Sequence, residues 1–323
     1  MKNANKLLIG AGAFAGSVAA ICAASYFPTK RLVTMALDRK EPKAFGKSQR
    51  LLAKDTRTEQ IQRLRSEIAE KLESKTLQTV EIIATDGTKL LGHLHTAQNP
   101  QRTVIAFHGW RSSWAKDFGM IADFLFANNC NVLFVEQRGQ GKSGGEHMGF
   151  GLMERYDCKD WITWVSRSFL KAYPIYLAGI SMGATTVLMT AGFQLPDNVK
   201  GIIADCGFTS PKAIWCHVAH NMHLFYNGIR ESLASAICKK KIHVGSDDYS
   251  AVDAMKECEV PVLFIHGTDD SFVPVEMTYE NYKACASEKY LLIVPGAEHG
   301  MSYVVDKARY EAAVKEFWNK YDQ

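Results

Sequence analysis

Residues 179 to 183 read G-I-S-M-G, between a strand-like run, IYLAG, and a helix-like run, ATTVLMTAG. A serine in a sharp strand-to-helix turn presents its hydroxyl at the sheet edge, and glycines on either side let the turn pack closely. The first N–H groups of the helix behind it then face any negative charge that develops there. A serine hydroxyl is a poor nucleophile until an imidazole takes its proton, and that imidazole needs a carboxylate to hold its tautomer. Both partners follow along the chain. HGTDDSFVP comes after the run VPVLFI, and GAEHG after KYLLIV, so Ser181 is followed by Asp269 or Asp270 and then by His299. Serine, acid and histidine, each just past a strand, are suited to acyl transfer through a covalent intermediate. A turn without chemistry would need neither partner.

These residues must be positioned by a sheet. From Thr79 the sequence reads as short apolar runs: TVEIIA and KLLGHLH around the turn residues Asp86 and Gly87, then TVIAF, NVLFVE, IYLAG, KGIIAD, VPVLFI and KYLLIV. The first two predict an antiparallel hairpin. The others alternate with helical patterns such as KDFGMIADFLFANN, DCKDWITWVSR and the final KARYEAAVKEFWNKY. Strands alternating with helices imply a mostly parallel sheet covered on both faces. About fifty residues separate KGIIAD from VPVLFI, too many for one crossover. That interval, about 207–258, reads as a helical cap above the carboxyl ends of the strands, where α/β sheets place their sites. Trp215, Met222, Leu224, Phe225 and Tyr226 would make the cap apolar, either to receive an acyl group or simply to pack the lid.

Two patterns suggest other chemistry. EQRGQGKSGG, residues 136–145, contains G-x-G-x-x-G at Gly139, Gly141 and Gly144 directly after NVLFVE. A dinucleotide site needs a helix to open at the third glycine, and GEHMGFG does not start one; a phosphate loop needs Gly where Glu136 stands. His217, His220 and His223 are spaced three apart, which drifts around a helix, and no nearby Cys or carboxylate completes a metal set. Eight cysteines, at 22, 130, 158, 206, 216, 238, 258 and 285, form no C-x-x-C pair, and read as small buried apolar residues. No cofactor and no metal is expected.

Taken in order, FHGW at 107–110, EQRGQGKSGG, GISMG, HGTDDSFVP and GAEHG resemble the α/β-hydrolase superfamily, in the branch of bacterial esterases and serine-aminopeptidase-like hydrolases. The likeness runs from about residue 79 to the C-terminus. It implies an α/β-hydrolase fold: a mostly parallel eight-stranded sheet with helices on both faces and a helical cap. It selects Asp270, three after Gly267 and three before Val273, and leaves Asp269 as a turn residue. It implies an oxyanion hole from the backbone N–H groups of Trp110 and Met182, with the Trp110 indole free to line the acyl site. The family's D-x-R-G-x-G-x-S-x-G loop matches with Glu136 in the Asp position, and Arg138 ties that loop to the core. Asp205, an alternative acid in some hydrolases, is given a structural role. The activity implied is serine hydrolysis of a small carboxylic ester; peptide or thioester cleavage by the same residues, or a binding protein that keeps the fold, are the alternatives.

Upstream lies an uncharged run of 21 residues, Leu7 to Phe27, flanked by Lys2 and Lys6 and by Lys30, Arg31 and Arg39. It is long enough to span a bilayer as a helix, and Ala23 and Ala24 near its end also fit a cleaved signal peptide. The Lys and Arg excess after the run would leave the following domain in the cytoplasm. Residues 28–75 carry 13 Lys and Arg against 7 Asp and Glu, and the chain beyond carries 23 against 27. A mildly acidic body excludes nucleic acid as the partner, because phosphate recognition needs cations at the site. The expected organisation is a membrane anchor or signal segment at 1–27, a basic helical stem at 28–75, and a hydrolase domain at 76–323. Within the stem, Ile61, Leu64, Ile68 and Leu72 fall on one helical stripe.

Overall fold

The computed structural model of the chain describes residues 24–40, 56–223 and 226–322. Eight strands form one sheet: β1 (Gln78–Ile83), β2 (Lys89–His95), β3 (Arg102–Phe107), β4 (Cys130–Glu136), β5 (Ile175–Ile180), β6 (Val199–Asp205), β7 (Val262–Gly267) and β8 (Lys289–Val294). Their order is β1-β2-β4-β3-β5-β6-β7-β8. β1, β2 and β4 pair antiparallel, and every pairing from β4 to β8 is parallel. The sheet is the mostly parallel eight-stranded one expected from the sequence.

The apolar runs explain the burial on both faces. Successive side chains of a strand point to opposite faces, so Ile105 and Phe107 enter one core while Val104 and Ala106 enter the other. The first core is closed by α4 (Glu154–Arg167), α5 (Met182–Thr190), α8 (Ala251–Lys256) and α9 (Val275–Ala284). The second is closed by α3 (Trp114–Ala127) and α11 (Lys307–Tyr321), with a short helix, α10 (Ser302–Val305), between β8 and α11. Between β6 and α8 the chain forms two more helices, α6 (Pro211–Asn221) and α7 (Gly228–Ile242), in the region expected to be the cap. Ser210 and Asn227 cap them, accepting the backbone N–H groups of Ala213 and Arg230. Trp215 of α6 is 3% exposed and packs edge-on against Phe150, so it serves the packing of this region; Met222 is exposed, and Leu224 and Phe225 lie outside the described residues.

Two helices precede the sheet: α1 over residues 24–37, and α2 (Thr56–Glu73). Leu32, Val33, Ala36 and Leu37 of α1 are buried in the first core. α2 lies along α3, and its stripe is shifted from the expectation: Leu72 and Ala69 are buried, Ile61 and Ile68 are half-buried, and Leu64 is 42% exposed. Ile68 lies against Gly119 of α3, where the absence of a side chain lets the two helices approach closely. Residues 7–23 of the uncharged run lie outside the described residues; among the described ones, no helix is long and apolar enough to cross a membrane.

Candidate active site

Ser181 stands between β5 and α5 with φ 57° and ψ −118°, a conformation that a non-glycine residue holds only when its surroundings impose it, at roughly 1–3 kcal/mol. Its N–H donates to the Asp205 carbonyl at 2.9 Å. The two glycines of the motif are required by close approach. A Cβ on Gly183 would lie 1.9 Å from the Phe107 carbonyl oxygen, and one on Gly179 would lie 2.3 Å from the Gly183 backbone. The turn therefore presses α5 against the end of β3, where the next part of the site begins.

Three predicted side chains meet in one line. Ser181 Oγ is 2.9 Å from His299 Nε2, and His299 Nδ1 is 2.6 Å from Asp270 Oδ2. With its Nδ1 proton donated to the carboxylate, the ring turns the Nε2 lone pair toward the serine hydroxyl, the arrangement a general base needs. Asp269 points elsewhere: it is exposed and accepts from the Thr268 hydroxyl at 2.7 Å. Asp270 is buried, and its second oxygen accepts the N–H groups of Phe272 at 3.0 Å and Val273 at 2.8 Å. Burial alone would raise its pKa, but His299, His266 and the Val273 N–H hold it well below the usual carboxylate range.

His266, quoted above only as the first residue of HGTDDSFVP, is the residue whose part the sequence did not reveal. Its fully buried ring places Nε2 3.1 Å from Asp270 Oδ2 and 2.9 Å from the Val273 carbonyl. Two acceptors at one nitrogen require the proton there, while Nδ1 lies 2.7 Å from the Thr278 hydroxyl. The ring thus steadies the same carboxylate oxygen that His299 holds. A buried polar residue at the end of an apolar strand was the only available signal.

The other strand-end histidine, His108, is also buried. Its Nε2 accepts the Gln137 N–H at 3.2 Å and its Nδ1 donates to the Gly109 carbonyl at 2.8 Å, while burial lowers its pKa and keeps it neutral. Gln137 braces the same turn, donating to the His108 carbonyl and accepting from the Thr186 hydroxyl at 3.1 Å. Gly109 packs beside Ser181, so that a Cβ there would be 3.3 Å from the serine Cβ. Trp110 follows directly. Met182 is the first residue of α5, where a helix N–H has no intrahelical acceptor. Both backbone donors named from the sequence therefore belong to segments that flank Ser181. Contrary to the expectation above, the Trp110 indole is not free: its N–H donates to the Ala36 carbonyl of α1 at 2.8 Å, because α1 closes over this side of the loop.

The remaining candidates fall around this line. Asp205 is buried at the end of β6, takes the Ser302 hydroxyl at 3.1 Å, and is pushed up to about 6 by burial, partly offset by His266 and Ser302. Among the described residues, the ligand-type atoms that converge are those of Cys206, Asp270 and His299, within 4.8 Å of one another. Burial drives the Cys206 thiol far up, so it stands as a neutral wall behind the acid. His217 lies 3.1 Å from the Ser271 carbonyl, while His220 and His223 face solvent. No helix opens at Gly144; the next one, α4, starts at Glu154.

An eight-stranded sheet of this order, with a serine elbow after β5, an acid after β7 and a histidine after β8, is the α/β-hydrolase fold. Comparison with known proteins agrees. The Hydrolase_4 family model, described as serine aminopeptidase, S33, matches residues 98–257, a span that includes Trp110 and Ser181 and ends before Asp270 and His299. The chain is 27% identical over 231 residues to the uncharacterized protein YqkD of Bacillus subtilis, covering 72% of this chain and 75% of YqkD. Among solved structures, the Pyrococcus furiosus esterase Pf2001 superposes with a TM-score of 0.64 at 23% identity, over 78% of this chain and 94% of the esterase. Est1E from Butyrivibrio proteoclasticus, solved with ferulic acid bound, gives 0.59 at 20% identity over 75% and 98%.

Proposed function

We propose that the protein is a serine hydrolase that cleaves a carboxylic ester of a small molecule through an acyl-enzyme. The observation that carries this reading is the pair of short contacts at His299, 2.9 Å to Ser181 Oγ and 2.6 Å to Asp270. Ser181 Oγ attacks the carbonyl carbon as His299 Nε2 takes its proton. The N–H groups of Trp110 and Met182 meet the oxygen as it becomes negative, and the imidazolium then protonates the departing alkoxide. Water repeats the cycle on the acyl-enzyme. Asp270, ionised at all these stages, keeps the imidazole oriented.

Esters are preferred over amides because the solved neighbour Pf2001 is named an esterase, and Est1E was solved with a carboxylic acid, ferulic acid, bound. The amide reading has its own support in the family description, serine aminopeptidase. Rates on matched ester, amide and thioester substrates separate the three bond types. Ser181→Ala is expected to lower kcat/KM on a short ester by at least about 10³-fold. A variant as fast as the parent would overturn the proposal.

A further inference from the structure

We propose that the N-terminal helices set the oxyanion loop, and that Arg65 and Asp117 are positioning residues for the reaction; this rests on the serine-hydrolase reading above. The loop from His108 to Ser112 leaves β3 beside Ser181 and is gripped from two sides. On one side Asp117, in the first turn of α3, accepts the Gly109 N–H at 2.6 Å through Oδ2 and the Ser112 hydroxyl at 2.7 Å through Oδ1. Arg65 of α2 reaches across to the same Oδ1 at 2.6 Å. The Asp117 side chain is 3% exposed and that of Arg65 30%, so the pair is a largely buried one, anchored from outside the sheet.

On the other side stand the last carbonyls of α1 and the residue after it. Ala36 accepts the Trp110 indole, and Met35 and Asp38 accept the Arg111 guanidinium at 2.9 and 2.6 Å. Arg111 itself has φ 50°, in the left-handed region that favours glycine, so its backbone conformation is held by contacts from its surroundings. The proposed oxyanion donor, the Trp110 N–H, lies between the amide that Asp117 holds and the side chain that α1 holds. An oxyanion donor contributes only if it is set before charge develops, and a displacement of about 1 Å can cost about 100-fold in rate. Arg65 and Asp117 touch no reacting atom in this arrangement; they act through Gly109 and Ser112.

The test uses the full chain and a short ester. Arg65→Gln is expected to lower kcat about tenfold with KM within about twofold, and to weaken a boronic acid that mimics the tetrahedral oxyanion by a similar factor. Arg65→Lys should recover most of the loss, and Asp117→Asn should fall further than Arg65→Gln. The proposal is overturned if Arg65→Gln and Asp117→Asn keep the parent kcat, or if activity falls only in step with the folded fraction seen by circular dichroism. Should Asp117→Asn not fold, the two Arg65 variants, at the less buried member of the pair, decide alone. Ser181→Ala in the same assay separates the two proposals: an active Ser181→Ala removes the hydrolase reading, whereas an inactive one beside normal Arg65 and Asp117 variants removes only the clamp.

Discussion

Two carboxylates end neighbouring strands near His299, and their surroundings drive them in opposite directions. Asp270 has two backbone N–H donors and two histidines, and is held low; its stabilising contribution is present above about pH 4 and is lost as pH falls below that. Asp205 is as deeply placed but has few donors, the Ser302 hydroxyl at 3.1 Å among them, and burial raises it to about 6. For an acid raised in the native state the sign reverses: the fold is favoured fully below the unfolded value near 4, and loses that advantage as pH rises through 6. Asp205→Asn should therefore exceed the parent in stability at pH 8 by up to about 3 kcal/mol, with no difference at pH 4 or below. Urea unfolding at the two pH values measures it. An equal gain at both would show that packing and not ionisation is responsible. The contrast also shows why Asp205 suits a structural role: the donors needed to keep a carboxylate charged beside an imidazole are gathered at Asp270.

At the scale of elements, the loop from Glu136 to Gly145 shows how a motif changes meaning with its setting. Gly139 and Gly141 have φ 68° and 53°, which is why glycine is needed, but they turn the chain back on itself and leave no helix end for a phosphate. Glu136 faces inward, 2.7 Å from His93 Nε2 and accepting the Lys142 N–H; burial would raise it, and these donors bring it below its ordinary value. Arg138 donates to both oxygens of Asp157 on α4 and to Asp86 in the β1–β2 turn at 2.7 Å. It ties three elements together, in the structural role its motif implied. Arg138→Ala would strand Asp157 in the interior without its partner, and should destabilise the protein by about 3–5 kcal/mol. A denaturant midpoint unchanged from the parent would show that the loop is held by its backbone alone.

For the whole molecule, the consequence is that the N-terminal segment shares the core of the sheet. Leu37 is fully buried there, and Arg39 donates to the carbonyls of Ser143 and Gly141 at 2.6 and 2.7 Å. Leu37→Ala is expected to lower the unfolding free energy of the whole domain by about 2–5 kcal/mol, in one transition. A separate early transition, with the main one unmoved, would mean that residues 24–40 unfold independently. The sequence by itself determined the strands, the elbow and the chain order of Ser181, an acid at 269 or 270 and His299, because periodicity, glycine spacing and strand-end motifs are written in adjacent residues. Only the tertiary structure decided that His266 steadies Asp270, that Leu64 faces water while Ala69 is buried, and that α1 and Arg65 of α2 meet the residues around the loop from His108 to Ser112. Arg65 meets Asp117 across 52 positions, and the Trp110 indole meets Ala36 across 74. Such pairings depend on which surfaces the folded sheet brings together, and neither Arg65 on the polar face of a helix nor the backbone carbonyl of Ala36 carries a local signature of its partner.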